Sequence, residues 1–211
     1  MKTVAVYTDY SNLSDETADI LKKLLSEHID DKCDKLKKGS LCVRVMLKVL
    51  LKRYFDVEKF TIFTDENGKP YINVSDVHFN FSHSDGKALC VVSTQRVGCD
   101  VQSMKPFNSK VSSRYYRREE DKMLLKSENT DEDFIKLWTL KEAILKQKGL
   151  GLSGGLASYG FSEYLHNDSF EAYGLKFRCF KEENFYYAIC SETDDVTVSE
   201  IDIEELIKNL M

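Results

Sequence analysis

The chain has 211 residues, 42% hydrophobic and 31% charged, with a net charge near −5. That length suits one large domain or two small lobes, with enough apolar material for a sizeable core. The acidic balance argues against non-specific nucleic-acid binding, and no stretch approaches the about 20 apolar residues of a membrane span.

In chain order, residues 3–8 (TVAVYT) read as a strand and residues 14–28 as a helix with Ser14 as N-cap. Residues 40–55 (SLCVRVMLKVLLKRYF) read as a second helix, strongly apolar on one side. A strand at 59–65 precedes a turn at 66–70, marked by Asn67-Gly68 and Pro70. Residues 78–86 (HFNFSHSDG) form a strand running into a polar turn. Residues 87–94 and 96–102 read as adjacent strands joined by a tight turn at Gln95.

After Pro106 the pattern begins again. Helices are expected at 112–127 and 131–149, the second closed by Gly149, then a Gly-rich loop at 149–160. Strands at 172–180 and 184–191 pair through residues 181–183. The fold class is therefore α+β. Two halves divide as 1–95 and 96–211, and their likeness rests on element order, because no sequence repeat is evident. Pro70 and Pro106 are the only prolines, so a long Pro-rich linker is excluded.

The charges are uneven. Residues 31–53 and 114–122 are basic, while 191–205 is acidic. A basic cleft in an acidic protein suits a small anionic ligand better than a polyanion. Cys33, Cys42, Cys90, Cys99, Cys179 and Cys190 include no C-x-x-C pair and lie mostly in apolar patterns. They read as buried free thiols in a reducing, cytoplasmic setting. The N-terminus lacks an apolar run long enough for a signal peptide.

Three short elements carry chemistry. In RVGCDVQSM (96–104), Val97, Cys99 and Val101 face a core, so Asp100 and Gln102 share the other face, with Gly98 leaving room for a ligand to approach. In the helix FIKLWTLKEAILKQKG, Glu142 and Lys146 are four apart on one strip with Trp138. They could be an ordinary surface pair, and Lys141 and Lys148 are expected to be solvated. In NFSHSDG (80–86), Ser82, His83 and Ser84 sit where a strand ends. Such a histidine is either structural or a phosphate ligand. Strand alternation turns Ser82 and His83 to opposite faces, which argues against a nucleophilic dyad. Together, Asp100, Glu142, His83 and Lys146 suit Mg²⁺ with phosphate oxygens, and hence phosphoryl-type transfer from a pyrophosphate-bearing small molecule.

In order, the chain reads NGKP, FNFSHS, VGCDVQ and WTLKEAILKQKGLGL across residues 67–152. This resembles the 4′-phosphopantetheinyl transferase superfamily, in its two-lobed surfactin-synthetase-activator (Sfp-like) form. The resemblance implies two similar α/β lobes related by a pseudo-twofold. It implies Mg²⁺-dependent transfer of the 4′-phosphopantetheine arm of coenzyme A to a serine of an acyl or peptidyl carrier protein, releasing adenosine 3′,5′-bisphosphate. By position, Asp100 and Glu142 would hold the metal, with Gln102 as a further ligand or the partner of a bound water. Glu142 would be the general base and Lys146 would contact the transferring phosphate. Ser82 and His83 would hold coenzyme A phosphates, and Lys69 and Pro70 would line the adenine end. Trp138 would be packing.

Two departures stand out. Many such proteins carry an acid at the place of Gln102, and many carry a His-Arg pair where this chain has Lys38-Gly39. Lys35, Lys37, Lys38 and Arg44 are the candidates to replace that pair at the 3′-phosphate. An acidic carrier would dock on residues 111–125, using Arg114, Arg117, Arg118, Tyr115, Tyr116 and Met123. A monomer is expected. The alternatives are a non-catalytic coenzyme A or nucleotide-binding module and an unrelated Mg²⁺-dependent phosphohydrolase.

Overall fold

The computed structural model describes residues 2–26, 36–66, 68–151, 155–193 and 195–211. Cys33, Lys35 and Asn67 lie outside the described residues. The first half contains β1 (Thr3–Asp9), α1 (Asp15–Leu25), α2 (Lys38–Phe55), β2 (Ile62–Thr64), β3 (Pro70–Ile72), β4 (His78–Ser84) and β5 (Lys87–Ser93). The second contains β6 (Val97–Ser103), α3 (Ser109–Tyr115), α4 (Arg118–Leu124), α5 (Thr130–Lys148), β7 (Ser169–Ala172), β8 (Leu175–Glu182) and β9 (Phe185–Ser191). The chain ends with β10 (Val196–Glu200) and α6 (Ile203–Lys208).

Helix starts and stops follow local chemistry. Ser14 caps α1 by accepting from Thr17 N at 3.0 Å. Gly149 ends α5 in the left-handed conformation, φ +70°. Helix α2 begins two residues earlier than the sequence pattern suggests and buries ten of its residues, Leu41, Met46 and Leu50 among them.

Two four-stranded sheets form, in the orders β10-β1-β5-β4 and β6-β9-β8-β7. Within each half the first strand pairs with the last (β1 with β5, β6 with β9) and the last with the one before it, all antiparallel, and one long helix covers a face. The α+β, pseudo-twofold architecture is thus present as one topology used twice. Strand β5 is buried on both sides, which explains its unbroken apolar run. Ala88, Cys90 and Val92 face α1 and α2. Leu89 and Val91 face the other sheet, where they meet Val97, Cys99, Val101, Tyr187 and Ile189. The second half has its own core between α5 and β8–β9. Cys42, Cys90, Cys99, Cys179 and Cys190 are buried free thiols, as the sequence suggests.

Several expectations change. Strands β5 and β6 are not hydrogen-bonded neighbours: the turn at Gln95 carries the chain from one sheet to the other. The helix expected at 112–127 is two helices, broken where Tyr116 is extended (φ −104°, ψ 160°). Its ring stacks on Phe134 at 5.2 Å and its hydroxyl donates to Phe134 O at 2.8 Å, so tertiary packing overrides the local helical tendency. The strand at 59–65 shrinks to β2 and pairs with β3, which the turn signals had masked. The strand expected at 172–180 is displaced, because Tyr173-Gly174 turns the chain between β7 and β8. The acidic tail supplies β10, which returns to pair in parallel with β1, Thr3 against Val196 and Tyr7 against Glu200. Among the described residues no helix is long and apolar enough to cross a membrane.

Candidate active site between the lobes

The halves meet where β4 runs beside β6. Asn80 Oδ1 on β4 accepts from Cys99 N at 2.9 Å, in place of a backbone partner. Asn80 is only 3% exposed, and its role was not read from the sequence. The usable signal is a polar side chain among buried positions of a strand, which has to find a partner.

One step along, the buried Asp100 gathers three donors. Ser82 Oγ donates to its Oδ1 at 2.7 Å, Lys146 Nζ to the same oxygen at 2.5 Å and Gln102 Nε2 to its Oδ2 at 2.8 Å. Lys146 also donates to Ser82 Oγ at 3.0 Å. Burial works against the Lys146 ammonium, but Asp100, with smaller contributions that include Glu142, holds it above its ordinary value. Glu142 stands one helical turn before Lys146. Burial, and then repulsion from Asp100, push its carboxyl up to about 7, against the pull of Lys146.

Gly98 explains why α5 comes so close. A Cβ there would lie 2.1 Å from Ala143 O and 2.4 Å from Gln147 N, both backbone atoms of α5. The glycine makes room for the helix, not for a ligand, which corrects the sequence reading.

His83 points away from Asp100. Its Nε2 lies 3.3 Å from Ser40 Oγ in the first turn of α2. The different partners of Ser82 and His83 bear out the alternation argument. A Cβ on Gly39 would sit 2.8 Å from His83 Nδ1 and 2.5 Å from Tyr10 Oη, so that glycine admits the imidazole. Burial, then Lys146, Arg44 and Lys37, push the imidazole below its ordinary value. A cationic surrounding of that kind attracts an anion. Lys38 is engaged elsewhere, donating to Leu13 O at 2.7 Å and pairing with Asp15 at 2.8 Å. Arg44 lies over the Phe81 ring at 5.3 Å and donates to Ser40 O.

A pocket of about 170 Å³ opens beside the cluster, walled by Lys69, Pro70 and Phe81 of the first half and Lys146 and Gly149 of the second. The Lys69 ammonium reaches across to the end of α5, donating to Lys146 O at 2.6 Å and Gln147 O at 3.1 Å. It thereby satisfies helix carbonyls and ties the lobes together.

Other expected residues separate. Trp138 packs against Tyr115 and Tyr116, as read. Lys148 is exposed, but Lys141 is fully buried and paired with Glu120, which overturns its reading as solvated. Of the basic residues near α4, Arg117 donates to Ala157 O and Ser158 O, whereas Arg114 rests over the exposed side of Tyr115.

The donor set can be tested against a divalent cation. Among the described residues no group of three or more His, Cys, Asp or Glu converges. The chain supplies two carboxylates that repel one another, beside a largely apolar pocket into which the Lys146 side chain faces. That suits a hard cation completing its shell with phosphate oxygens and water, the way Mg²⁺ is commonly bound.

Two lobes of one topology thus meet at a carboxylate pair, a lysine and a histidine among cations. The model of the "4'-phosphopantetheinyl transferase superfamily" matches residues 96–198, and the chain belongs to that family. It is similar to 4'-phosphopantetheinyl transferase Sfp of Bacillus subtilis (strain 168), at 34% identity over 179 residues, covering 80% of this chain and 78% of that protein. It is 31% identical over 178 residues to 4'-phosphopantetheinyl transferase ffp of Bacillus subtilis, covering 80% and 78%. A further 4'-phosphopantetheinyl transferase of Bacillus subtilis aligns at 30% identity over 213 residues, covering 92% and 94%. The enzyme class is therefore 4′-phosphopantetheine transfer.

Proposed function

We propose that the chain moves the 4′-phosphopantetheine arm of coenzyme A to a serine of an acyl or peptidyl carrier protein, with Mg²⁺, releasing adenosine 3′,5′-bisphosphate. The observation that carries this is the convergence of Asp100, Glu142 and Ser82 around Lys146, which also lines the inter-lobe pocket. Asp100 and Glu142 would hold Mg²⁺, and the Gln102 amide, its nitrogen spent on Asp100, would offer its carbonyl oxygen to the ion or to water. A divalent cation there supplies charge neutralisation for the pyrophosphate.

The remaining steps belong to the chain. Glu142, with a carboxyl near 7, accepts the seryl proton directly or through water. The seryl oxygen bonds to the β-phosphorus of coenzyme A, and the bond from that phosphorus to the bridging oxygen breaks. The nucleotide leaves with that oxygen. Lys146 Nζ donates to the phosphate oxygens as charge develops. Pro70 and the stem of Lys69 line the adenine side. The carrier meets the enzyme on α3–α4, where Arg114, Arg118 and the 63%-exposed Leu125 remain presented. Both halves of the site come from one chain, which supports a monomer. The reduced buried thiols support a cytoplasmic setting.

The test is incubation with coenzyme A, Mg²⁺ and a panel of apo carrier proteins, read by mass spectrometry. A phosphopantetheine-sized gain on a carrier serine is expected. Tight coenzyme A binding with no gain on any carrier would sink the transferase reading in favour of a binding module.

For the 3′-phosphate, the charges of Lys37 and Arg44 near His83, with Ser40 beside its Nε2, favour these residues among the described candidates over Lys38, which pairs with Asp15. The Lys37→Ala/Arg44→Ala variant is expected to raise KM for coenzyme A about tenfold, while hardly changing KM for 3′-dephospho-coenzyme A. Equal losses with both substrates would mean these residues do not serve that phosphate.

A further inference from the structure

The most deeply buried ion pair in the second half plays no part in the chemistry above. Lys141 and Glu120 are 0% and 1% exposed at the side chain, with Nζ 2.6 Å from Oε2. Every strong hydrogen-bonding site is used. Glu120 Oε2 also accepts from Arg117 N at 2.9 Å, and Oε1 from Phe161 N at 2.7 Å. Lys141 directs its other donors to Leu156 O at 3.2 Å and to Tyr159 O. Arg117 takes the carbonyls between them, Ala157 O and Ser158 O. The Tyr116 ring, at the α3–α4 break, lies 5.3 Å from the Lys141 ammonium, and its hydroxyl is bonded to Phe134 O on α5.

The knot thus joins three pieces: the start of α4, the middle of α5 and the backbone of 156–161. Lys141 directly precedes Glu142. Successive helical residues point about 100° apart, so anchoring the back of α5 at Lys141 fixes the direction in which Glu142 leaves the front. Buried pairs of this kind are often no more stabilising than apolar residues of equal size. What an apolar replacement lacks is the geometric fit to a carboxylate and two carbonyls at once.

We propose that the Glu120–Lys141 pair is a positioning device, which keys the α3–α4 surface to the catalytic edge of α5. On the transferase reading, on which this rests, α3–α4 carries the docked carrier and α5 carries Glu142. The pair then sets where the carrier serine stands relative to its base. Neither residue touches substrate. A shift of one piece against the other leaves the coenzyme A pocket intact but misplaces the serine, and small misplacements are costly in rate.

The test is the charge-neutral double variant Glu120→Gln/Lys141→Met, which leaves no unpaired buried charge and keeps an acceptor for Phe161 N. Amide hydrogen exchange in 109–125 and 156–161 is expected to speed up by about tenfold, with the first half unchanged. Carrier kcat is expected to fall by about tenfold, with KM for coenzyme A within about twofold of the parent. Lys141→Arg keeps the charge but not the three-way fit, and is expected to move both readouts less, so it decides the matter if the double variant fails to fold. Parent-like exchange overturns the proposal. Faster exchange with parent-like kcat also overturns it, leaving only a structural pair. If the parent itself transfers nothing to any carrier, the transferase reading fails, and the exchange data still decide whether the pair keys α4 to α5.

Discussion

Replacing Asp100 with asparagine is expected to lower the transfer rate by about a thousandfold while the protein remains folded. The residue is a hub: Ser82, Lys146 and Gln102 all donate to it. Asparagine keeps the shape and one acceptor oxygen, so Ser82 and Lys146 retain a partner. What is lost is the charge proposed to hold the metal, which also faces the Lys146 ammonium. Alanine at the same place would leave the ammonium without its carboxylate, and breaking a buried pair in that way costs about 3–5 kcal/mol. The asparagine variant therefore separates chemistry from stability. Steady-state transfer to a carrier, alongside a urea midpoint, is the measurement. Activity within tenfold of the parent in a folded variant would remove Asp100 from the mechanism. Gln102→Ala is expected to lose far less, because it deletes one neutral donor. A loss equal to that of Asp100→Asn would make Gln102 a ligand of the same standing.

Glu142 gives a companion result that needs no substrate. Its carboxyl sits up to about 7, against an ordinary value near 4.5, chiefly through burial and then through Asp100. A raised folded-state value means the contribution to stability is fully present when the group is protonated. It is lost as pH climbs from the unfolded value through the folded one. In EDTA, Glu142→Gln cannot ionise and escapes that loss. Relative to the parent it should gain stability between about pH 4.5 and 7 and hold the gain above, by as much as about 3 kcal/mol before allowance for solvent. The same variant should be inactive, since the proposed base is gone. A parent-variant difference that stays flat from pH 5 to 8 would mean that neither burial nor Asp100 raises the Glu142 carboxyl.

The proposed site residues were legible because each sits in a short segment with a clean period. Asp100 falls opposite an apolar strand face, and Glu142 and Lys146 share one helical strip. What stayed hidden depends on long-range partners. Nothing local in 196–200 announces a parallel pairing with residues 3–7. A connection as short as that around Gln95, residues 94–96, looks the same whether it closes a hairpin or passes between sheets. The burial of Lys141 depends on Glu120 from another helix, and a lysine on a helix otherwise reads as solvated. The break at Tyr116 is set by Phe134, far along the chain. Asp100 and His83 could be named, but that Ser82 serves the first and Ser40 the second is a matter of how two lobes dock.

Gly98→Ala is expected to be a highly damaging single-methyl change, and it distinguishes two accounts of that glycine. If the space beside Asp100 served the pyrophosphate, an added methyl would raise KM for coenzyme A and leave stability alone. The structure gives a different outcome. The Cβ would lie 2.1 Å from Ala143 O, 2.4 Å from Gln147 N and 2.9 Å from Gln147 Cα. All three are backbone atoms of one helix, so no flexible side chain can give way. Either α5 lifts from β6 or the strand slips. Overpacking usually costs about 1–3 kcal/mol, occasionally more, and a backbone collision belongs at the upper end or beyond. Lifting α5 also carries Lys146 away from an oxygen now 2.5 Å distant, and Glu142 with it. Stability and kcat should therefore fall together, kcat by about a hundredfold even at temperatures where the variant is fully folded. Gly174→Ala is the control. That glycine has φ +71° and nothing within 4 Å of an added Cβ, so only local backbone strain of about 1 kcal/mol is expected, with kcat unchanged. A Gly98→Ala protein that melts like the parent but binds coenzyme A poorly would restore the ligand-space account and remove the close seating of α5 as the reason Glu142 and Asp100 face each other.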